Sequence, residues 1–114
     1  IKIMKEKLKD TFDNYIFLIF SDDIPWCKKQ VFFNNLDVKF VENSETQEPN
    51  EVFQLYLMSM CNHNIIANSS FSWWGAYLNL NVNKIVIAPK KWFNPKSKPE
   101  GWGSVYCKDW IVSN

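Results

Sequence analysis

Arginine is absent from this chain of 114 residues; every strong cation in it is a lysine. The net charge is near +1, and no Lys/Arg-rich run occurs, which argues against a general nucleic-acid binder. Only one histidine and three cysteines are present. Cys27, Cys61 and Cys107 are odd in number and have no C-x-x-C spacing, so no zinc site is expected. They read instead as small apolar fillers, as in a protein of a reducing compartment. No nucleophile elbow accompanies the serines, so Ser–His–Asp chemistry has no support. No apolar run approaches the ~20 residues that cross a bilayer, and the start shows no signal-peptide pattern. The chain opens with Ile directly into a helical pattern, which reads as a piece of a longer protein. The expected location is therefore cytoplasmic, or membrane-associated through regions outside it. Repeats, low-complexity segments and internal boundaries are also lacking, so residues 1–114 read as a single domain, long enough for a real core.

What is present is aromatic surface: nine Phe, six Trp and four Tyr, each able to bury a large area. Ile1, Met4, Leu8 and Phe12 fall at helical spacing, predicting a helix over 1–13. Tyr15 to Phe20 is a near-continuous apolar run, as in a parallel strand covered on both faces. After the polar turn 21–23, Pro25 suits a helix start, continued to about Asn35. Val38 to Val41 is a strand, and 42–50 a polar loop. A helix over 51–61 should turn Val52, Leu55, Met58 and Met60 inward. A strand over 63–67, a helix from about residue 70, and a strand over 84–88 ended by Pro89 follow. Residues 90–103 read as a long loop whose Lys90, Lys91, Lys96 and Lys98 form a loose, solvated basic stretch, and 109–112 as a last strand. Such alternation predicts an α/β fold: a Rossmann-like parallel sheet with helices on both faces.

Candidate sites lie where strands should end on one side of the sheet, the edge at which open α/β sheets hold ligands. The richest is C-N-H-N-I-I-A-N-S-S-F-S-W-W-G-A-Y-L-N-L, residues 61–80. A short strand there turns through Asn68, Ser69, Ser70 and Phe71 into a helix. Free N–H groups and the positive helix end make an anion cradle. Capping is the competing role, and the two are compatible: one hydroxyl can cap while another faces a phosphate. Ser21, Asp22 and Asp23 follow the first strand; these carboxylates can bind sugar hydroxyls or base N–H groups, or cap the next helix. The helix 51–61, with Gln54, leads into the same region. Gly75 sits inside a helix, at a cost of about 1 kcal/mol relative to Ala, for which close packing of helix on sheet is the expected reason. Trp73 and Trp74 are adjacent, so at most one points fully inward. His63 stands at the far end of its strand; a structural or surface role is expected, with a catalytic base as the alternative.

Taken together, F-S-D-D-I-P-W-C-K (20–28), Y-L-M-S-M-C-N-H-N-I-I-A-N-S-S-F-S-W-W-G-A-Y-L-N (56–79) and I-A-P-K-K-W-F (87–93) resemble glycosyltransferase family 11, which contains the α-1,2-fucosyltransferases. The resemblance implies a GT-B enzyme with two Rossmann-type domains, of which this chain is most of the C-terminal, donor-binding one. The implied reaction moves L-fucose from GDP-β-L-fucose to the 2-hydroxyl of a terminal galactose of a glycan acceptor, with inversion and without a metal or other cofactor. Its transition state resembles an oxocarbenium ion. By the same resemblance Ser69, Ser70 and the turn N–H groups hold the β-phosphate, Asp22 and Asp23 orient the donor or support the motif turn, Gln54 sits near the base, and Phe71 and Trp73 shape the pocket.

Two departures accompany the resemblance. The family's H-x-R-x-G-D motif, whose Arg faces the diphosphate, is missing. Gln54 stands where relatives commonly carry an acid that grips guanine N–H groups, and it offers one uncharged acceptor oxygen. Two further readings follow: a catalytically decayed nucleotide-sugar-binding module, and a related transferase using another nucleotide sugar.

Overall fold

The computed structural model describes residues 1–42, 50–93 and 105–113. They form an α/β structure in which every paired strand runs parallel to its neighbour. The chain divides into two compact units, residues 2–54 and 55–114.

The first unit opens with α1, Lys2–Leu8, whose Met4 is buried. The helix expected over 1–13 stops early. Lys9 takes a left-handed φ of 45°, and Lys9–Asn14 continues as a 3-10 helix. Thr11 Oγ1 donates to the Leu8 carbonyl at 2.8 Å, the kind of local side-chain bond that competes with helix. Phe12 is still buried and packs on Phe17, ring centroids 5.7 Å apart. Strand β1, Phe17–Ile19, pairs with β2, Val38–Phe40; β1 is shorter than the apolar run 15–20 because its partner offers only three residues. Between them lies α2, Ile24–Lys28, then a 3-10 turn, Val31–Phe33. The single helix expected to Asn35 breaks at Lys29 and Gln30. Gln30 turns extended, and its Nε2 donates to the Trp26 carbonyl at 3.0 Å. The break lets Phe33 meet Phe40 edge-on at 5.8 Å.

Helix α3, Asn50–Met60, spans the point of division. The second unit continues with β3, Asn64–Ile65, α4, Ser70–Tyr77, β4, Val86–Pro89, and β5, Ile111–Ser113. Its sheet order is β3-β4-β5. Ile66, Ala76, Val86 and Ala88 form the core, with Trp92, Tyr106 and Trp110 packed on it. Strand β5 starts at Ile111 rather than Asp109, because Asp109 turns at a φ of 72°, a conformation Asp tolerates better than most residues.

Two packing expectations are corrected. On α3 Met58 is buried and Leu55 half-buried, but Val52 and Met60 are 62% and 66% exposed. Apolar residues occur all round this helix, so periodicity alone does not select a face. The selecting contact is with Gly75, where a Cβ would lie 2.7 Å from Met58 Cβ and 2.9 Å from its Sδ. The glycine therefore admits helix on helix, α4 against α3, rather than helix on sheet.

At the N-terminal edge of β3 and β4 a polar network closes the helix ends. Asn64 Nδ2 donates to the Met58 carbonyl at 2.9 Å. Asn79 Nδ2 donates to the Cys61 carbonyl at 2.7 Å and to Asn64 Oδ1 at 2.8 Å. Lys84 Nζ reaches the carbonyls of Ala76 and Asn79, both at 2.8 Å. The last carbonyls of α3 and α4 thus find donors they lack within the helices.

Candidate functional site

The turn after β3 is built by its serines. Ser69 is the N-cap of α4: its extended backbone presents Oγ to the Ser72 N–H at 3.1 Å. The two hydroxyls lie 2.7 Å apart, and Ser72 Oγ is also 3.0 Å from the Ala67 carbonyl and 3.1 Å from that of Ser69. A consistent assignment has the Ser69 hydroxyl donate to Ser72 Oγ, which donates onward to a carbonyl. Both hydroxyls are then consumed in capping. Ser70 is different. It is exposed, and its hydroxyl makes no hydrogen bond among the described residues. The N–H groups of Ser70 and Phe71 belong to the first turn of α4, where no intrahelical acceptor exists. Exposed N–H groups, a free hydroxyl and the positive helix end together suit an anionic oxygen.

Asn68, Ser69, Ser70 and Phe71 come together as one exposed turn. Asn68 Nδ2 reaches across to the Trp92 carbonyl at 3.4 Å, tying the turn to the segment after β4. Trp73 sits half-buried: its Nε1 donates to the Val105 carbonyl at 2.8 Å, and its ring stacks on Tyr77 at 5.0 Å and 12°. Trp74 is the exposed member of the pair. The part of Ser72 as a second cap was missed in the sequence, although S-x-x-S from residue 69 is a variant of the capping-box spacing.

Ser21, Asp22 and Asp23 belong to the first unit, at the carboxyl end of β1, and all three are exposed. Asp23 caps α2, its Oδ1 accepting from the Trp26 N–H at 3.1 Å. Ser21 Oγ accepts from the Asp23 N–H at 3.0 Å. Asp22 makes no hydrogen bond or ion pair among the described residues. Gln54 lies half-buried in α3.

His63 stands in the polar network at the opposite edge. Its Nδ1 accepts from the Ile85 N–H at 3.0 Å, which places the neutral ring's proton on Nε2, and burial lowers its pKa. Burial raises that of Cys61, whose thiol donates to the Leu57 carbonyl at 3.3 Å. All three cysteines are free thiols. Among the described residues no group of three or more His, Cys, Asp or Glu is placed to hold a metal ion. Nor is any helix there long and apolar enough to cross a membrane.

A family model described as Glycosyl transferase family 11 matches residues 2–114. Among curated proteins, the chain is 46% identical over 104 residues to an alpha-1,2-colitosyltransferase of Escherichia coli, covering 83% of this chain and 34% of that protein. It is 43% identical over 93 residues to the O-antigen biosynthesis glycosyltransferase WbnK of Escherichia coli, covering 80% and 30%. With the galactoside alpha-(1,2)-fucosyltransferase 1 of Homo sapiens it shares 32% over 103 residues, covering 87% and 27%. The chain thus spans about a third of the length of the curated relatives it matches. No solved structure matches it.

Proposed function

The chain belongs to glycosyl transferase family 11, and from that premise we propose that it is the donor-holding part of an α-1,2-fucosyltransferase. The whole enzyme moves L-fucose from GDP-β-L-fucose to the 2-hydroxyl of a terminal galactose, with inversion. The observation that carries this reading is the turn 68–72, where capping consumes Ser69 and Ser72 and leaves Ser70 with two N–H groups at a strand's carboxyl end. Those donors take the diphosphate oxygens. Their contribution grows as the bond to the sugar breaks, because negative charge then collects on the leaving diphosphate. Phe71 and Trp73 bound the pocket on the same unit. The frame in this reading is the Rossmann-type C-terminal domain of a GT-B enzyme. Catalysis proceeds without a metal, and the protein works in the cytoplasm or attached to a membrane by regions outside this chain.

Calorimetric titration with GDP, GDP-fucose and UDP tests the reading. Both GDP ligands are expected to bind more tightly than UDP; indifference to both overturns it. By itself the chain is expected to show little or no transfer, because it carries no arginine to face the diphosphate; clear turnover of GDP-fucose by these 114 residues would refute that. A second reading is a transferase for a related deoxy sugar, favoured by the 46% identity to a colitosyltransferase. Transfer assays on the protein that carries this chain, with GDP-fucose and GDP-colitose in competition, separate the two. Donor binding without transfer of either sugar marks a decayed binding module.

A further inference from the structure

A diphosphate that leaves with its negative charge needs a cation, and in this chain lysine must supply it. Four lysines of the second unit are described, and the parallel sheet sorts them. Lys84 precedes β4 and Lys108 precedes β5, so both stand at the N-terminal edge. Lys84 is also consumed there by the carbonyls of Ala76 and Asn79. Lys90 and Lys91 directly follow β4, at the carboxyl edge, on the strand that pairs with β3. This is the edge from which the Asn68–Ser72 turn springs.

The backbone around the pair is held on three sides. The Lys90 N–H donates to the Ser113 carbonyl at 2.7 Å, and the Tyr106 hydroxyl lies 2.9 Å from the Lys90 carbonyl. The Trp92 carbonyl accepts the long bond from Asn68. One anchor therefore runs from the serine turn itself to the residue after Lys91. Meanwhile both lysine side chains are exposed and make no hydrogen bond or ion pair among the described residues. Three backbone anchors fix where the two side chains start, and among the described residues no carboxylate pairs with them.

Resting on the donor-site reading above, we propose that Lys90 and Lys91 are diphosphate-binding residues, supplying the positive charge beside the Ser70 turn. A Lys ammonium acts as a point charge and needs no planar fork to hold a phosphate.

The test is titration of the chain with GDP and with guanosine, at low and high salt. Wild type is compared with K90Q/K91Q, K90R/K91R and K108Q. The K90Q/K91Q pair is expected to lower GDP affinity about tenfold or more, as loss of charge-assisted contacts does. It should also flatten the salt dependence and leave guanosine binding unchanged. K90R/K91R should keep GDP affinity, and K108Q should match wild type. GDP binding by K90Q/K91Q at wild-type strength overturns the proposal and leaves the donor-site reading standing. Equal loss of guanosine and GDP also overturns it, since the effect is then not one of charge. Absence of GDP binding by wild type refutes the donor-site reading, and this proposal with it, before any variant is compared.

Discussion

A methyl group at Gly75 has nowhere to go. Met58 Cβ, 2.7 Å away, is fixed to its own backbone and cannot swing aside as the thioether can. Gly75→Ala therefore forces α4 from α3. Overpacking of this kind costs about 1–3 kcal/mol, which outweighs the roughly 1 kcal/mol of helix propensity gained. Denaturant unfolding should show a net loss, and that loss should be smaller when measured in a Met58→Gly background, which lacks this Cβ. The two serines of the turn separate by the same measurement. Ser69→Ala removes the α4 cap and should cost about 1 kcal/mol. Ser70→Ala touches no described bond and should leave stability within about 0.5 kcal/mol while weakening GDP binding. If Ser70→Ala binds GDP like wild type, Ser70 is not a phosphate donor. That one serine caps and its neighbour stays free was readable as an alternative in N-S-S-F-S. Which serine does which was not, because it depends on the φ and ψ of the turn.

The elements are held at their ends as much as along their faces. Asn79 is 3% exposed and serves the Cys61 carbonyl, Asn64 Oδ1 and the Asn81 N–H together. Asn79→Ala strips buried partners from these groups, at about 1–3 kcal/mol for each one left unsatisfied. A loss of about 3 kcal/mol is expected in urea unfolding, far more than for Asn83→Ala on the exposed turn. Nothing in the sequence flagged this network. Asn64 fell within the strand expected over 63–67, and the convergence of Asn62, Asn64, Asn79, Asn81 and Asn83 depends on β3 and β4 lying side by side. The alternation of helices and parallel strands was legible, since apolar runs such as Phe17–Ile19 and Val86–Ala88 are flanked by polar turns. Lengths were not. Thr11 and Gln30 divert backbone carbonyls through their own side chains, and α3 is apolar on too many sides for its inward face to be chosen from periodicity.

For the whole molecule, the single histidine gives pH a simple handle. Protonation of His63 would replace the acceptor at Nδ1 with a donor facing the Ile85 N–H, and burial opposes the charge. Its folded pKa lies below the ordinary 6.5, so the unfolded chain takes the proton first. Stability is therefore full above about pH 6.5 and falls as pH drops through that value, levelling below the folded pKa. The ring is only partly buried, so less than about 1 kcal/mol is expected. Urea midpoints at about pH 8 and about pH 5 measure it, and His63→Gln should remove the His63 share of the difference. An unchanged difference in that variant would place the titration elsewhere.

Helix α4 also brings indoles into electronic contact. Trp73 lies 4.9 Å from Trp74 and 5.8 Å from Trp110, the first pair nearly perpendicular and the second inclined at 56°. Transition dipoles this close and this skewed couple, and coupled chromophores split their circular dichroism into bands of opposite sign. Helix α4 thereby carries its own spectroscopic label. Trp110→Phe should diminish the couplet while leaving the peptide signal in place, and any ligand that shifts α4 against β5 becomes visible without an added dye.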